Sequence, residues 1–172
     1  MIVGIAADQH VVLVGLMGSG KTTVARIVAD RLNRKVIDSD AVIEAATGRT
    51  VREIFAEDGE AAFRTLETSA LLDALASPVP AVIAAAGGVV LREENREALK
   101  RSNAKVVWLC ASPALLAERV TSGGHRPLLD DDPAGTLQRM HDDRETMYRE
   151  VADAIVLVDH RSIGEVVEAV LR

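Results

Sequence analysis

The sequence predicts an α/β fold in which a five-stranded parallel sheet lies between two layers of helices. Five short apolar segments, which are predicted strands, alternate with stretches whose apolar residues recur at helical spacing. Strands that alternate with helices form parallel sheets covered on both faces. A chain of 172 residues fits one domain with a sizeable core. The predicted strands are residues 10–15, 34–38, 81–85, 104–109 and 154–158.

Capping residues and turn signals place the helices between these strands. Ser39 and Asp40 open the second helix, and Asp40 is its expected cap. The Asp58-Gly59 turn precedes a longer helix, and Pro113 occupies a first helical position. The predicted helices are residues 21–32, from 39 onward, 51–55, 60–76, 92–100, 113–120, 134–151 and from about 161 to 172.

Composition argues against several classes of function. A net charge of −6 and only four aromatic residues disfavour nucleic-acid binding. The single cysteine, Cys110, agrees with a reducing compartment, and the histidines lack paired metal-ligand spacing. The longest apolar stretch, residues 81–91, is too short to span a bilayer, and residues 1–10 do not look like a secretory signal. We therefore expect a cytoplasmic protein that binds neither membrane nor nucleic acid.

A phosphate-binding loop follows the first strand. Residues 15–22 read GLMGSGKT and match G-x-x-x-x-G-K-[ST] in full, between a predicted strand and a predicted helix. Glycines let backbone N–H groups curl around phosphates, Lys21 reaches the terminal phosphates, and Thr22 is placed to hold Mg²⁺. The predicted nucleotide-binding residues of this loop (P-loop) are Gly18, Ser19, Gly20, Lys21, Thr22 and Thr23.

Acidic residues at the end of the second strand are candidates for work on the acceptor. Asp38 ends that strand, where side chains face the ligand crevice of such a sheet, and Asp40 follows closely. Either carboxylate can act as the base or positioning group that phosphoryl transfer requires. Residues 121–133 contain two glycines, two prolines and three successive acids, which predict a mobile lid. Arg126 of this lid is a candidate to cover the transferring phosphoryl group.

A second positive pocket is predicted from residues far apart in the chain. Arg64, Arg144 and the amides of Gly87 and Gly88 would bind a carboxylate if they converge, because the planar fork of arginine suits that group. The acceptor would then be a small hydroxylated anion. Glu67 lies one helical turn after Arg64, and such a pair, taken alone, is more typical of a solvated surface contact.

These features together resemble the shikimate kinases, a family of small P-loop kinases. The resemblance covers nearly the whole chain and rests on several motifs in the right order. They are residues 15–22, Asp38-Ser39-Asp40, Phe55, Asp58-Gly59-Glu60, Phe63-Arg64-Thr65-Leu66-Glu67, Gly87-Gly88, Arg126-Pro127-Leu128-Leu129, and Arg144 with Tyr148.

The resemblance implies a fold and a reaction. The fold is that of P-loop NTPases of the nucleoside-monophosphate-kinase type, with strand order 2-3-1-4-5 and a mobile lid. It implies one domain, with a core of about 10–40, 78–118 and 134–172, an acceptor-binding region of about 40–76 and a lid of about 119–133. The reaction transfers the γ-phosphoryl group of ATP, with Mg²⁺, to the 3-hydroxyl of shikimate, on the route to aromatic amino acids. The implied partners are shikimate and ATP or ADP, and a monomer is expected.

The resemblance also implies roles for individual residues. Lys21 stabilises the migrating charge, Thr22 ligates Mg²⁺, and Asp38 acts on the metal mostly through water. Asp40 binds the substrate hydroxyls and helps to take the proton, and Arg126 enters from the lid. In the acceptor site, Arg64, Arg144 and Gly88 grip the carboxylate while Glu67 orients Arg64. The remaining implied site residues are Phe55, Phe63 and Gly87 for the acceptor, and Arg119 and Arg161 near the adenine.

One departure from the family pattern leaves alternatives open. The family usually has three glycines after the third strand, whereas this chain has Ala86-Gly87-Gly88. A methyl group there is harmless at negative φ and costs about 1 kcal/mol or more at positive φ. A P-loop kinase of another small acid, such as gluconate or a cyclitol acid, is the first alternative. A nucleotide-dependent regulatory module is the second.

Overall fold

A five-stranded parallel sheet forms the centre of the molecule. The computed structural model describes residues 4–121 and 132–172, so Arg126 and most of the predicted lid lie outside the described residues. The strand order is β2-β3-β1-β4-β5, and every pairing is parallel, as predicted. The strands are β1 (Val11–Val14), β2 (Lys35–Asp38), β3 (Ala81–Ala84), β4 (Lys105–Cys110) and β5 (Ala154–Leu157).

Helices cover both faces of this sheet. All four residues of β1 are fully buried, and because strand side chains alternate between faces, neither face of the central strand meets solvent. The helices are α1 (Lys21–Leu32), α2 (Ser39–Thr47), α3 (Val51–Glu57), α4 (Glu60–Leu75), α5 (Glu93–Arg101), α6 (Pro113–Thr121), α7 (Pro133–Val151) and α8 (Ile163–Leu171). A short 3-10 helix at Val89–Leu91 was not predicted.

The cap of α2 differs from the prediction. The carboxylate of Asp38 accepts hydrogen bonds from the backbone N–H groups of Asp40 and Ala41, at 3.1 and 3.3 Å. A capping side chain must reach the amides two and three residues ahead, and α2 begins at Ser39. The expectation that Asp40 caps the helix is therefore wrong, because Asp40 lies in the first helical turn.

Two apolar cores stabilise the fold. The larger surrounds the sheet, and the smaller joins α2, α3 and α4 through Ile43, Ile54, Phe63 and Ala70. This second core gives the region between β2 and β3 a packed base of its own. It fixes the inner face of α4, from which the predicted acceptor-binding side chains extend. Among the described helices, none is both long and apolar enough to cross a membrane.

Candidate active site

The P-loop encloses one side of a cavity at the carboxyl end of β1. Gly18 and Gly20 have φ angles of 83° and 95°, in the left-handed region that favours glycine. Gly20 is followed directly by α1, whose first turn adds unpaired N–H groups. The loop therefore has the backbone geometry of an anion cradle.

The cavity has a volume of about 490 Å³ and is lined by residues of the predicted nucleotide site. Both carboxylates after β2, Asp38 and Asp40, line it, and so do Arg119 and Arg161 from distant parts of the chain. The predicted P-loop residues that line it are Gly18, Ser19, Gly20, Lys21, Thr22 and Thr23. Every predicted nucleotide-site residue within the described ranges thus faces one space.

Two cations lie directly against the P-loop. The Lys21 ammonium donates hydrogen bonds to the carbonyl oxygens of Gly15 and Leu16, at 2.7 and 3.0 Å. The Arg119 guanidinium donates to the carbonyl of Gly18 at 3.1 Å. Positive charge is therefore already present where a phosphate chain would lie.

Thr22 and Asp38 form a pair of oxygen donors beside the P-loop. The Thr22 hydroxyl donates to the Asp38 carboxylate at 2.7 Å, which joins the first turn of α1 to the end of β2. Hydroxyl and carboxylate oxygens suit Mg²⁺, which commonly binds through few protein ligands together with substrate phosphates. Within the described ranges, no group of three or more His, Cys, Asp or Glu side chains could hold a metal alone. The pair fits a Mg²⁺ ion that arrives with a nucleotide.

The predicted acceptor region contains a buried ion pair on α4. Arg64 Nη1 donates to both carboxylate oxygens of Glu67, at 3.1 and 3.0 Å, and the two side chains are only 9% and 1% exposed. The expectation of a solvated surface contact is wrong, because the pair lies on the inner face of the helix. Burial raises the pKa of Glu67 above its usual value, and the charges of Arg64 and Arg144 oppose this rise.

Two aromatic rings flank the Arg64 guanidinium. The centroids of Phe55 and Phe63 lie 4.7 Å apart, and Arg64 Cζ lies 5.9 and 5.6 Å from them. Cations within about 6 Å of a ring centroid are attracted by the ring quadrupole. The rings, together with Glu67, hold the guanidinium in one place.

Arg64 and Arg144 meet at the turn after β3. A methyl group on Gly88 would overlap the Arg64 guanidinium, although the Gly88 φ of −91° is open to any residue. Arg144 Nη1 donates to the carbonyl of Gly87 at 3.2 Å. The structure therefore brings both predicted arginines to one turn, and a side chain at position 88 would force the Arg64 guanidinium to move, without straining the backbone.

Ala86 does not strain this turn. Among the described residues other than glycine, only Asn33 and His160 have positive φ. Ala86 is 7% exposed and keeps an ordinary backbone conformation. The methyl group therefore carries no conformational penalty, and the departure from three glycines gives no structural reason to expect another acceptor.

Two contacts in this region were not predicted. The buried Tyr148 hydroxyl donates to the carbonyl of Gly87 at 2.6 Å, beside the bond from Arg144. Glu60 accepts from Arg64 Nη2 at 2.9 Å. Each of these residues lies four positions from an arginine of the predicted site on the same helix. Residues at that spacing share a helix face, so the spacing could have indicated both.

The fold and these two adjoining sites define a class of protein, the P-loop kinases that phosphorylate small acceptors. A model of the shikimate kinase family matches residues 17–172. A shikimate kinase of Symbiobacterium thermophilum is 45% identical over 166 residues, which cover 95% of this chain and 94% of that protein. The chain belongs to the shikimate kinase family and is an ATP-dependent kinase.

Solved structures agree with this assignment. The shikimate kinase from Acinetobacter baumannii in complex with shikimate superposes with a TM-score of 0.89 at 36% identity, and the match covers 95% of this chain and 90% of that one. A gluconokinase from Sinorhizobium meliloti superposes with a TM-score of 0.57 at 22% identity, with coverage of 95% and 90%. The second likeness shows a common fold only.

Proposed function

We propose that this chain transfers the γ-phosphoryl group of ATP to the 3-hydroxyl of shikimate and releases shikimate 3-phosphate and ADP. The observation that carries the proposal is the meeting of Arg64 and Arg144 at the Gly87-Gly88 turn, next to the P-loop. Two guanidinium groups at one turn suit a carboxylate, and the adjoining cradle suits a polyphosphate. Membership of the shikimate kinase family supports both assignments and places the product in aromatic amino-acid biosynthesis.

The nucleotide side of the reaction is assigned to the P-loop and its cations. The amides of residues 18–23 hold the phosphates, and Lys21 stabilises the charge that develops on the migrating phosphoryl group. Arg119 and Arg161 line the same cavity and are assigned to the adenine end. Arg126 is proposed to cover the phosphoryl group from the lid, although it lies outside the described residues.

A Mg²⁺ ion is proposed between Thr22 and Asp38. Their oxygens already lie 2.7 Å apart, so little rearrangement is needed to turn both toward an ion. When bound, Mg²⁺ neutralises phosphate charge. The contribution of the protein is to hold these two oxygens beside the P-loop.

The acceptor side is assigned to residues around the Arg64 guanidinium. Arg64, Arg144 and Gly88 bind the carboxylate, and Glu67 orients Arg64. Asp40 lines the cavity, and its charge helps to raise the pKa of Glu67, which supports a place near both proposed sites. It is proposed to hold the hydroxyl groups and to accept the proton from the attacking oxygen. Phe55, Phe63 and Gly87 complete the proposed acceptor walls.

A panel of acceptors in a coupled ADP-release assay tests this function. Shikimate should stimulate ADP release strongly, whereas gluconate and cyclitol acids should leave it near the rate without acceptor. Strong stimulation by another acid, with none by shikimate, would remove the proposal. Arg144→Ala should raise the KM for shikimate and spare the KM for ATP, and the opposite pattern would refute the carboxylate assignment.

The division of the chain is also part of the proposal. Residues of about 40–76 form the acceptor-binding region, supported by their separate apolar core, and residues of about 119–133 form the lid. A cytoplasmic location is proposed because a single half-buried cysteine suits a reducing compartment. A monomer is proposed as well. Light scattering coupled to size-exclusion chromatography tests the monomer.

A further inference from the structure

Arg64 is held by two carboxylates of different character. Glu67 is 1% exposed and bonds to Nη1, whereas the Glu60 side chain is 55% exposed and reaches Arg64 from the first turn of α4. The Glu60 Oε1 atom accepts from Nη2 at 2.9 Å and from Nε at 3.3 Å. Glu67 is therefore fixed by the core, while Glu60 can turn out into water.

The Glu60 contact occupies the donors that a carboxylate ligand needs. A guanidinium offers two parallel N–H pairs, Nε with Nη2 and Nη1 with Nη2, and both include Nη2. Glu67 already accepts from Nη1, so the Nε–Nη2 edge is the one away from the buried partner. Glu60 lies on that edge.

We propose that Glu60 is an internal competitor of the acceptor, whose carboxylate must leave the Nε–Nη2 edge of Arg64 before the carboxylate of the hydroxy acid binds there. This inference rests on the proposed function, because it assumes that Arg64 binds the acceptor. Displacement is inexpensive for an exposed side chain, which exchanges one ion pair for water. Glu60 keeps Arg64 paired in the absence of the acceptor. The acceptor carboxylate must therefore bind Arg64 more strongly than the Glu60 carboxylate does.

Direct binding measurements show whether Glu60 competes with the acceptor for Arg64 or helps Arg64 to bind it. Titration calorimetry with shikimate, without nucleotide, should give a Kd for Glu60→Gln roughly twofold to fivefold lower than for the wild type, the range that corresponds to one exposed ion pair. The KM for ATP and kcat should stay within about twofold of wild type, since the P-loop is untouched. The glutamine in Glu60→Gln keeps an amide oxygen that can still accept a hydrogen bond from Arg64, whereas Glu60→Ala has no acceptor there. Glu60→Ala should therefore bind shikimate at least as tightly as Glu60→Gln.

Glu168→Gln is a matched control for the change in charge. Glu168 is also 55% exposed and also pairs with an arginine, Arg31, but it lies on α8. This control should leave the shikimate Kd unchanged. In an Arg64→Ala background, Glu60→Gln should have no effect, because the contested donors are gone. Thermal unfolding confirms that each variant is folded.

Two results would overturn the inference. An unchanged Kd for Glu60→Gln would show that Glu60 does not compete with the acceptor, and a higher Kd would show that it supports Arg64 instead. An equal gain in Glu168→Gln would show a general charge effect. Failure of the proposed function is a separate result, because wild-type protein would then neither bind shikimate nor turn it over.

Discussion

The P-loop and the proposed acceptor pocket lie side by side but are constructed in opposite ways. The P-loop uses consecutive residues and backbone groups, and its Thr22 and Thr23 side chains are exposed. The acceptor pocket uses side chains from α4 and α7 at the turn after β3, and its charged groups, Arg64, Glu67 and Arg144, are buried. Changes to the exposed side chains of the P-loop should therefore affect nucleotide binding and catalysis with little effect on stability, whereas changes among the buried charged groups should affect both acceptor binding and packing.

Lys21→Ala should give the largest effect and separate catalysis from stability most clearly. Removing the ammonium from the migrating phosphoryl group should lower kcat by roughly 10²–10³-fold, as for other single electrostatic groups in transition states. The melting temperature should change little, because the two hydrogen bonds of Lys21 described above run to carbonyl groups of its own loop. Steady-state kinetics and thermal unfolding measure the two quantities. Lys35→Ala, an exposed lysine on β2, is the control and should keep wild-type kcat. A large fall in melting temperature for Lys21→Ala would show that the Lys21 side chain also stabilises the fold.

Gly88→Ala should disturb the proposed acceptor pocket by steric overlap alone. The new methyl group overlaps the Arg64 guanidinium, so Arg64 must shift from its place. The KM for shikimate should rise about tenfold to hundredfold, which corresponds to losing a hydrogen bond to a charged group, while the KM for ATP stays near wild type. Gly164→Ala on α8, where the nearest atom lies 3.9 Å from a new methyl group, is the control. Unchanged shikimate kinetics in Gly88→Ala would show that Arg64 does not bind the acceptor.

The pH dependence of acceptor binding should report on Glu67. Burial raises its pKa, and Asp40 raises it further, against the lowering by Arg64 and Arg144. A carboxyl group with a raised pKa takes up its proton at a higher pH than an exposed glutamate. The ionised form that pairs with Arg64 is present above this pKa and is lost below it. As the pH falls through the pKa of Glu67, protonated Glu67 no longer orients Arg64. The KM for shikimate should therefore rise roughly several-fold. Glu67→Gln should remove the inflection, and its persistence would assign it to another group such as Asp40.

Ala86→Gly should give the smallest effect. Ala86 has an ordinary φ, so glycine relieves no strain and only adds freedom to the unfolded chain. The unfolding free energy should fall by about 0.4–1 kcal/mol, and the KM for shikimate should stay within about twofold. Denaturant unfolding and the coupled assay measure these values. A large gain in kcat/KM would show instead that the methyl group obstructs the acceptor.

The same contrast explains what the sequence could predict. Helix positions and the P-loop follow from periodicity and from a contiguous motif, whereas the strand order was implied by the family resemblance, and the structure confirms all three. The state of Arg64 and Glu67 could not be decided from spacing, because residues three apart meet on a helix whether that face is buried or exposed. The capping residue of α2 was predicted wrongly because the choice between Asp38 and Asp40 depends on where the helix begins, to within one or two residues. The four-residue spacing could have indicated the contact of Glu60 with Arg64, but it could not show that Glu60 stays exposed while Glu67 is buried.

The Gly87 peptide group is a wall shared by the two sites. A methyl group built on Gly87 would lie 3.5 Å from both the Gly15 carbonyl oxygen and the Met17 amide nitrogen, while the Gly87 carbonyl accepts from Arg144 and Tyr148. Only one turn of backbone therefore separates the P-loop from Arg144 of the proposed acceptor site. A bisubstrate inhibitor that links a nucleotide to a cyclic hydroxy acid would need only a short tether along this turn, and it would gain from both halves at once.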